Sequence, residues 1–373
     1  MMTDTPIYLD HAATTPVDDE VFAAALPYYK DCFYNPASLH ALGQRAAVAV
    51  GKAREQCAAA VGATANEIYF TSGGTESVNW AMSVGTRGAR HIVVSAIEHD
   101  SVLACAKRAE MLGVAVDYVM PTRDGIIVPS ALEKAMRDDT SFVCVMAVNN
   151  ITGAIQPIGE LCKIAYSRGA LFFTDAVQAV NSLDINVREW GVDMLAVSGH
   201  KLYAPKGGGF LYVKSGTKPH PLLLGGEQER GMRAGTHDVP AIVGLGKAFE
   251  IAVRDRNKNN AAVKNAVDAF LSRLDCGAPL HTGSKIDDIV SVEFDGINGG
   301  RLAVALSCAG VCCSVGSACS AGSATPPPAL VAMGVGGAAN TVRFSFGKTT
   351  SIEQAKRAAE IVNATVKRLR KIK

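Results

Sequence analysis

Seven short apolar runs punctuate residues 45–250, and helical stretches separate most of them. The runs are EIYFTS, HIVVSA, VAVDYV, SFVCVMAV, ALFFTDA, DMLAVSG and GGFLYV. Several are continuous in Val, Ile and Phe instead of alternating, as strands covered on both faces are. Between them lie GQRAAVAVGKAREQCAAAVG, ESVNWAMSVGTRG, SVLACAKRAEMLG, SALEKAMRD and IGELCKIAYSRG, several closed by Gly where a helix C-cap belongs. This alternation predicts an α/β fold on a mostly parallel sheet.

After about residue 250 the texture changes. RDRNKNNAAVKNAVDAFLSRL predicts a long polar-faced helix, and DDIVSVEFDG and TVRFSFG alternate like half-exposed strands. The tail opens with a capping-box pattern, Thr350 to Glu353, and then places Ala355, Ala358, Ala359, Val362, Val366 and Leu369 on one helical face. A second, α+β domain is expected, with a boundary near residues 250–258.

With 48% hydrophobic and 19% charged residues, the 373-residue chain can bury a large core. A net charge of +2 without a long Lys/Arg block argues against nucleic-acid binding. The N-terminus lacks a basic region followed by an apolar one, so no signal peptide is expected, and no run approaches the roughly 18 apolar residues of a membrane span. Ten cysteines without framework spacing predict reduced thiols in a cytoplasmic protein, most of them buried, as at Cys105 and Cys144.

Two motifs mimic nucleotide loops and fail. FGKTT at 346–350 lacks the leading Gly of a phosphate loop, and GVGGAAN at 334–340 lacks the third Gly of a dinucleotide fingerprint. Three other segments carry more. In YFTSGGTESVNWAM a strand runs through Ser72, Gly73, Gly74 and Thr75 into a helix, which makes an anion cradle or a plain turn with Thr75 as N-cap. In LFFTDAVQAV, Asp175 ends a strand and Gln178 follows; the carboxylate can face a ligand crevice or cap the next helix. In DMLAVSGHKLYAPKGGGFLYV, Ser198, His200 and Lys201 stand at another strand end, where a partly desolvated lysine can form a Schiff base; an ordinary loop lysine is the alternative, as Lys206 is read. Together, a phosphate cradle, an aspartate for a pyridinium nitrogen and a lysine describe the binding logic of pyridoxal 5'-phosphate.

At these residues the chain resembles the cysteine desulfurases, the NifS/IscS-like group of class-V, fold-type I pyridoxal-phosphate enzymes. The likeness runs through YLDHAATTPV (8–17), NPASLHALGQ (35–44), TSGGTES (71–77), EHDSVL (98–103), VNN (148–150), TDAVQ (174–178), SGHK (198–201), ERGMRAGT (229–236), GSACSAG (316–322) and VRFSFG (342–347). It implies a large domain, residues 11–255, with a mostly parallel seven-stranded sheet, and a small α+β domain built from residues 1–10 and 256–373. Lys201 would bond the cofactor, Asp175 would hold its ring nitrogen protonated, and His99 would stack on the ring. Asn150 and Gln178 would contact the ring oxygen and the substrate side, and Gly74, Thr75, Ser198 and His200 the phosphate. Thr236 would reach the other subunit's cofactor in a homodimer. Arg343 would pair bidentately with the substrate carboxylate, as a planar guanidinium can. Without the family pattern, His99 reads as a capping or core histidine and Arg343 as a surface ion pair.

The resemblance also makes Cys319 the nucleophile. L-Cysteine would yield alanine and a persulfide on Cys319, which a loop of small residues, Gly316 to Ser323, could carry to a sulfur-acceptor protein such as an iron–sulfur scaffold. Cys308, Cys312 and Cys313 lie in an apolar run and read as packing residues, and their spacing does not make a metal site. The chain departs from the family in NNITG (149–153), where NNEIG is common, in the GSATPPPAL end of the loop, and in stopping at Lys373 where housekeeping members often continue. These departures bear on the acceptor. A selenocysteine lyase or another class-V enzyme is the alternative activity, and a degenerate persulfide-binding scaffold the non-enzymatic one.

Overall fold

The computed structural model describes residues 6–280, 283–316 and 326–371. Twelve strands lie among them: β1 Ile7–Tyr8, β2 Ile68–Thr71, β3 His91–Ser95, β4 Ala115–Val119, β5 Thr140–Cys144, β6 Leu171–Asp175, β7 Met194–Ser198, β8 Gly209–Val213, β9 Ala278–Pro279, β10 Ile289–Glu293, β11 Val311–Cys312 and β12 Thr341–Ser345. Seven form one sheet in the order β2-β8-β7-β6-β5-β3-β4. Its pairs are parallel except those of β8, which runs antiparallel to both β2 and β7.

The continuous apolar runs are explained by cover on both faces. β3, β7 and β8 are buried at every position. On one face, Ile92, Val94, Phe142 and Phe173 pack against Trp80 and Met82 of helix Gly74–Thr86 and Val102 and Ala106 of helix Asp100–Met111. On the other, Val93, Val143, Phe172 and Leu195 join Val50 and Cys57 of helix Ala41–Ala60 and Leu161 of helix Ile158–Ser167. Period-2 side-chain alternation sends neighbours such as Val93 and Val94 into opposite cores.

The boundary expected near 250–258 meets an unbroken helix, Val239–Arg273. Its first half adds Leu245 and Phe249 to the core beneath the central sheet, and its second half adds Val263 and Phe270 to a separate core with Leu9, Val292, Phe344 and Val362. Polarity along this helix shifts because it passes from one core to another. β10 pairs antiparallel with β9 and β12, and β1 pairs parallel with β11.

Two local expectations are corrected. β12 is buried throughout and β10 at four of five positions. Their alternation is real, but the polar face turns inward: Ser291 donates to the Ile151 carbonyl at 2.6 Å, and Arg343 is buried beside Asn150. The capping box falls one residue later than Thr350–Glu353. Ser351 Oγ accepts from Gln354 N–H at 3.1 Å and Gln354 Oε1 accepts from Ser351 N–H at 3.0 Å, opening helix Ile352–Lys371, while Thr350 Oγ1 accepts from Gly347 N–H. No described helix is long and apolar enough to cross a membrane.

Candidate active site

A cavity of about 170 Å³ opens near the carboxyl ends of β5, β6 and β7, where open α/β sheets hold ligands. Gly74, Thr75, His99, Asn150, Asp175, Gln178, Ser198, His200, Lys201 and Arg343 all line it. Of the expected site residues, that leaves two. Thr236 is exposed and does not line its own chain's cavity, and Cys319 lies outside the described residues.

The anion cradle is built by close packing of glycines. Helix Gly74–Thr86 starts without a side-chain cap, so Thr75 is not its N-cap; Gly73, with φ at 146°, holds that place. A Cβ on Gly74 would come within 2.9 Å of Val177 Cγ2, and one on Gly209 within 2.7 Å of Gly73 Cα. The first-turn amides have no partners within a helix, and they open beside Ser198. Glu76, in the same turn, would repel an anion, but Arg233 pairs with it (Nε to Oε1, 2.8 Å) and Ser72 N–H donates to its Oε2 at 2.8 Å.

Asp175 ends β6, and its Oδ1 accepts from Val177 N–H at 2.9 Å in a turn instead of capping an α-helix. Burial pushes its carboxyl above the usual range, against the pull of that N–H and of the nearby His99 and Lys201. Lys201 closes the 3-10 turn Gly199–Lys201 after β7; its Nζ donates to the Ala13 carbonyl at 2.8 Å and to that of Ala12. Gln178 Nε2 shares the Ala12 carbonyl at 2.8 Å. His200 touches Thr14 Oγ1 through Nδ1 at 3.2 Å, and burial, with Lys201 and Lys206 nearby, lowers it to about 4, so it is neutral. Lys206 itself is exposed.

His99 does cap a helix, and it also lines the cavity. Its Nδ1 accepts from Ser101 N–H at 3.2 Å and meets Ser101 Oγ at 2.8 Å. A ring that accepts at Nδ1 carries its neutral-form proton on Nε2. Arg343 is no surface ion pair. It is buried, with Nη1 donating to the Asn150 carbonyl at 2.7 Å and Nη2 to Asp10 at 3.0 Å, and among the described residues its buried Nε has no partner.

The donor set fits pyridoxal 5'-phosphate: helix-start amides and hydroxyls suit a phosphate, a buried carboxylate suits a protonated ring nitrogen, and one amine reaches the same cavity. Asp10, Glu98 and Ser101 stand within the quoted motifs without an assigned role; contacts with Arg343, Met146 and His99 give them one. Cys308 is exposed at the end of helix Gly299–Cys308 and does not pack inside, whereas Cys313 packs against the second core. Cys144 is buried and Cys105 half-buried. None of the nine described cysteines is in a disulfide.

The family model described as aminotransferase class-V matches residues 7–357. A protein named cysteine desulfurase IscS from Dictyoglomus turgidum is 39% identical over 98% of this chain and 96% of its own length. A putative cysteine desulfurase IscS 1 from Bacillus subtilis is 42% identical over 97% of this chain and 99% of its own. Among solved structures, a NifS-like protein superposes with a TM-score of 0.91 at 32% identity over 97% of this chain and all of that one. The structure titled SspA in complex with cysteine gives 0.83 at 34% identity, covering 91% of this chain and 98% of that one. The chain belongs to the class-V aminotransferase family, in its NifS/IscS-like group.

Proposed function

We propose that the protein is a pyridoxal-phosphate-dependent cysteine desulfurase that converts L-cysteine to L-alanine and leaves a persulfide on Cys319. The observation that carries this reading is the convergence of Lys201, Asp175, His99 and the Gly74–Thr75 cradle on one cavity, with the unpaired Nε of Arg343 buried among its lining. The shared name of the curated relatives and the cysteine held by SspA support the substrate.

In this reading Gly74, Thr75, Ser198 and His200 hold the phosphate, Asp175 the ring nitrogen, and Asn150 and Gln178 the ring's oxygen. Lys201 provides the covalent anchor. When bound, pyridoxal phosphate supplies an electron sink for the pair left behind as the substrate's α-proton departs. His99, its Nδ1 occupied by Ser101, presents the Nε2 proton for transfer. Arg343 orients the substrate carboxylate through its free Nε. The Cys319 thiolate attacks the substrate sulfur; a sulfur–sulfur bond forms as the carbon–sulfur bond breaks, its electron pair passes to the β-carbon, and protons returned to the β- and α-carbons complete alanine.

The same reading makes the protein a cytosolic homodimer, divided into large and small domains near residue 255, that passes sulfur to an acceptor protein for iron–sulfur cluster or thio-cofactor synthesis. Exposed Phe22, Leu26, Tyr29, Phe33 and Leu39 support a face covered by a second copy, and exposed Thr236 is free to reach that copy's cavity. Alanine and sulfide formation from L-cysteine, measured for the wild type and Cys319→Ala, tests the proposal. Loss of both products in the variant is expected; equal turnover would overturn the persulfide step.

A further inference from the structure

We propose that Glu98 is a positioning residue that stays an uncharged carboxylic acid beneath the site, so that the negative charge at the ends of β3, β5 and β6 rests on Asp175. The inference deepens the reading above, since it takes Asp175 as the partner of the cofactor ring.

Glu98 is buried in the turn between β3 and His99. Its Oε1 accepts from Met146 N–H at 2.6 Å and from the Ser95 hydroxyl. Its Oε2 faces the Cys144 thiol at 3.9 Å, a weak donor. Among the described residues no Lys, Arg or His donates to Glu98. An ionised Oε2 would therefore be a charge in a dry place met by one weak donor, whereas the neutral acid buries no charge and can turn its proton toward the Cys144 sulfur, a weak acceptor. The titratable groups around it are Cys144 from β5, Asp175 from β6 and His99 on its own turn; Lys201 lies beyond Asp175, and Cys105 of helix Asp100–Met111 beyond Cys144. Asp175 holds the better position for charge, with an N–H donor and the fields of His99 and Lys201. The two buried carboxyls stand at the ends of β3 and β6 with only β5 between them, and each disfavours the other's charge, so the proton belongs on Glu98. Burial, the largest influence, with Asp175 adding to it, pushes Glu98 up to about 8.

The consequence is mechanical as well as electrostatic. The carboxyl ties the His99 turn to Met146, which lines the cavity, and fixes both without placing a second anion beside Asp175. As pH rises through about 8 the acid ionises, a charge is left buried beside Asp175 and the turn loosens.

Infrared spectra of the cofactor-loaded protein test this. Wild type minus Glu98→Gln is expected to show a carboxylic-acid carbonyl band at pH 7 that fades as pH rises through about 8; no band at pH 7 would overturn the proposal. If the variant fails to fold, wild type grown with carbon-13-carboxyl glutamate reads the same band. Cofactor release, followed by absorbance, is expected to accelerate at least about threefold from about pH 7 to 9 in wild type and to stay flat in Glu98→Gln. Identical pH profiles would overturn the role in holding the site. A protein that takes up no cofactor would sink the functional reading, while the infrared band would still decide the state of Glu98.

Discussion

Arg343, buried, and Asp10, half-buried, stand 333 residues apart and pair through Nη2 and Oδ1 at 3.0 Å, which leaves Nε of the same guanidinium without a partner among the described residues. Three nitrogens thus divide: one braces Asn150, one meets Asp10, and the third, in the proposed reading, meets the substrate carboxylate. Lysine offers a single ammonium and cannot serve all three. Arg343→Lys is expected to raise KM for L-cysteine about tenfold or more, the worth of a charged hydrogen bond of about 1.5–3 kcal/mol, while cofactor absorbance is retained. Steady-state kinetics beside the absorption spectrum check both.

Asp10→Asn keeps the shape of the pair but strands the buried guanidinium charge. A loss of about 3 kcal/mol in stability is expected, because leaving a buried charge without its partner costs far more than the pair contributes. Urea denaturation at pH 7 measures it; a change within about 0.5 kcal/mol would show that Asn150 alone satisfies Arg343.

Gly209 lets β8 pass against the cradle. An added Cβ would lie 2.5 Å from the Val197 carbonyl oxygen and 2.7 Å from Gly73 Cα. Gly209→Ala is expected to displace the Gly73–Gly74 turn, weakening pyridoxal phosphate affinity about tenfold or more and costing about 1–3 kcal/mol of stability. Fluorescence titration of the cofactor into the apo-protein reads the first effect.

Glu229 braces the ERGMRAGT loop that carries Thr236. Burial pushes its carboxyl up, but hydrogen bonds from Arg54 (2.6 and 2.7 Å), His237 (2.7 Å) and Phe70 N–H (2.9 Å) outweigh this and hold it at about 2. Because the folded-state value lies below the unfolded value of about 4.3, the pair stabilises fully above that pH and fades as pH falls toward about 2. Glu229→Gln is expected to lose about 3 kcal/mol at neutral pH, with the gap to wild type closing as pH drops from about 4.5 to 2. Urea melts across that range give the curve, and a gap that does not change with pH would contradict it.

The central sheet was legible because its strands are apolar runs that end abruptly in polar residues, and those ends, Asp175 and Ser198–Lys201, are where the cavity opens. The polar positions of β10 and β12 were harder. Alternation shows which residues share a face but not what that face meets, and here Arg343 meets Asn150 and Asp10 instead of water. The helix Val239–Arg273 hid the boundary for a similar reason: propensity is local, and only packing shows that one helix serves two cores. Glu98 and Ser101 flank His99 in sequence, yet their work depends on Met146 and on which ring nitrogen is occupied, which no spacing encodes.

The most direct measurement of the central claim is borohydride reduction of the cofactor-loaded protein followed by peptide mapping. The account predicts pyridoxal phosphate fixed to Lys201 alone, with the yellow absorbance bleached, and no uptake by Lys201→Ala. Labelling of another lysine, or a protein that never takes up the cofactor, would contradict it.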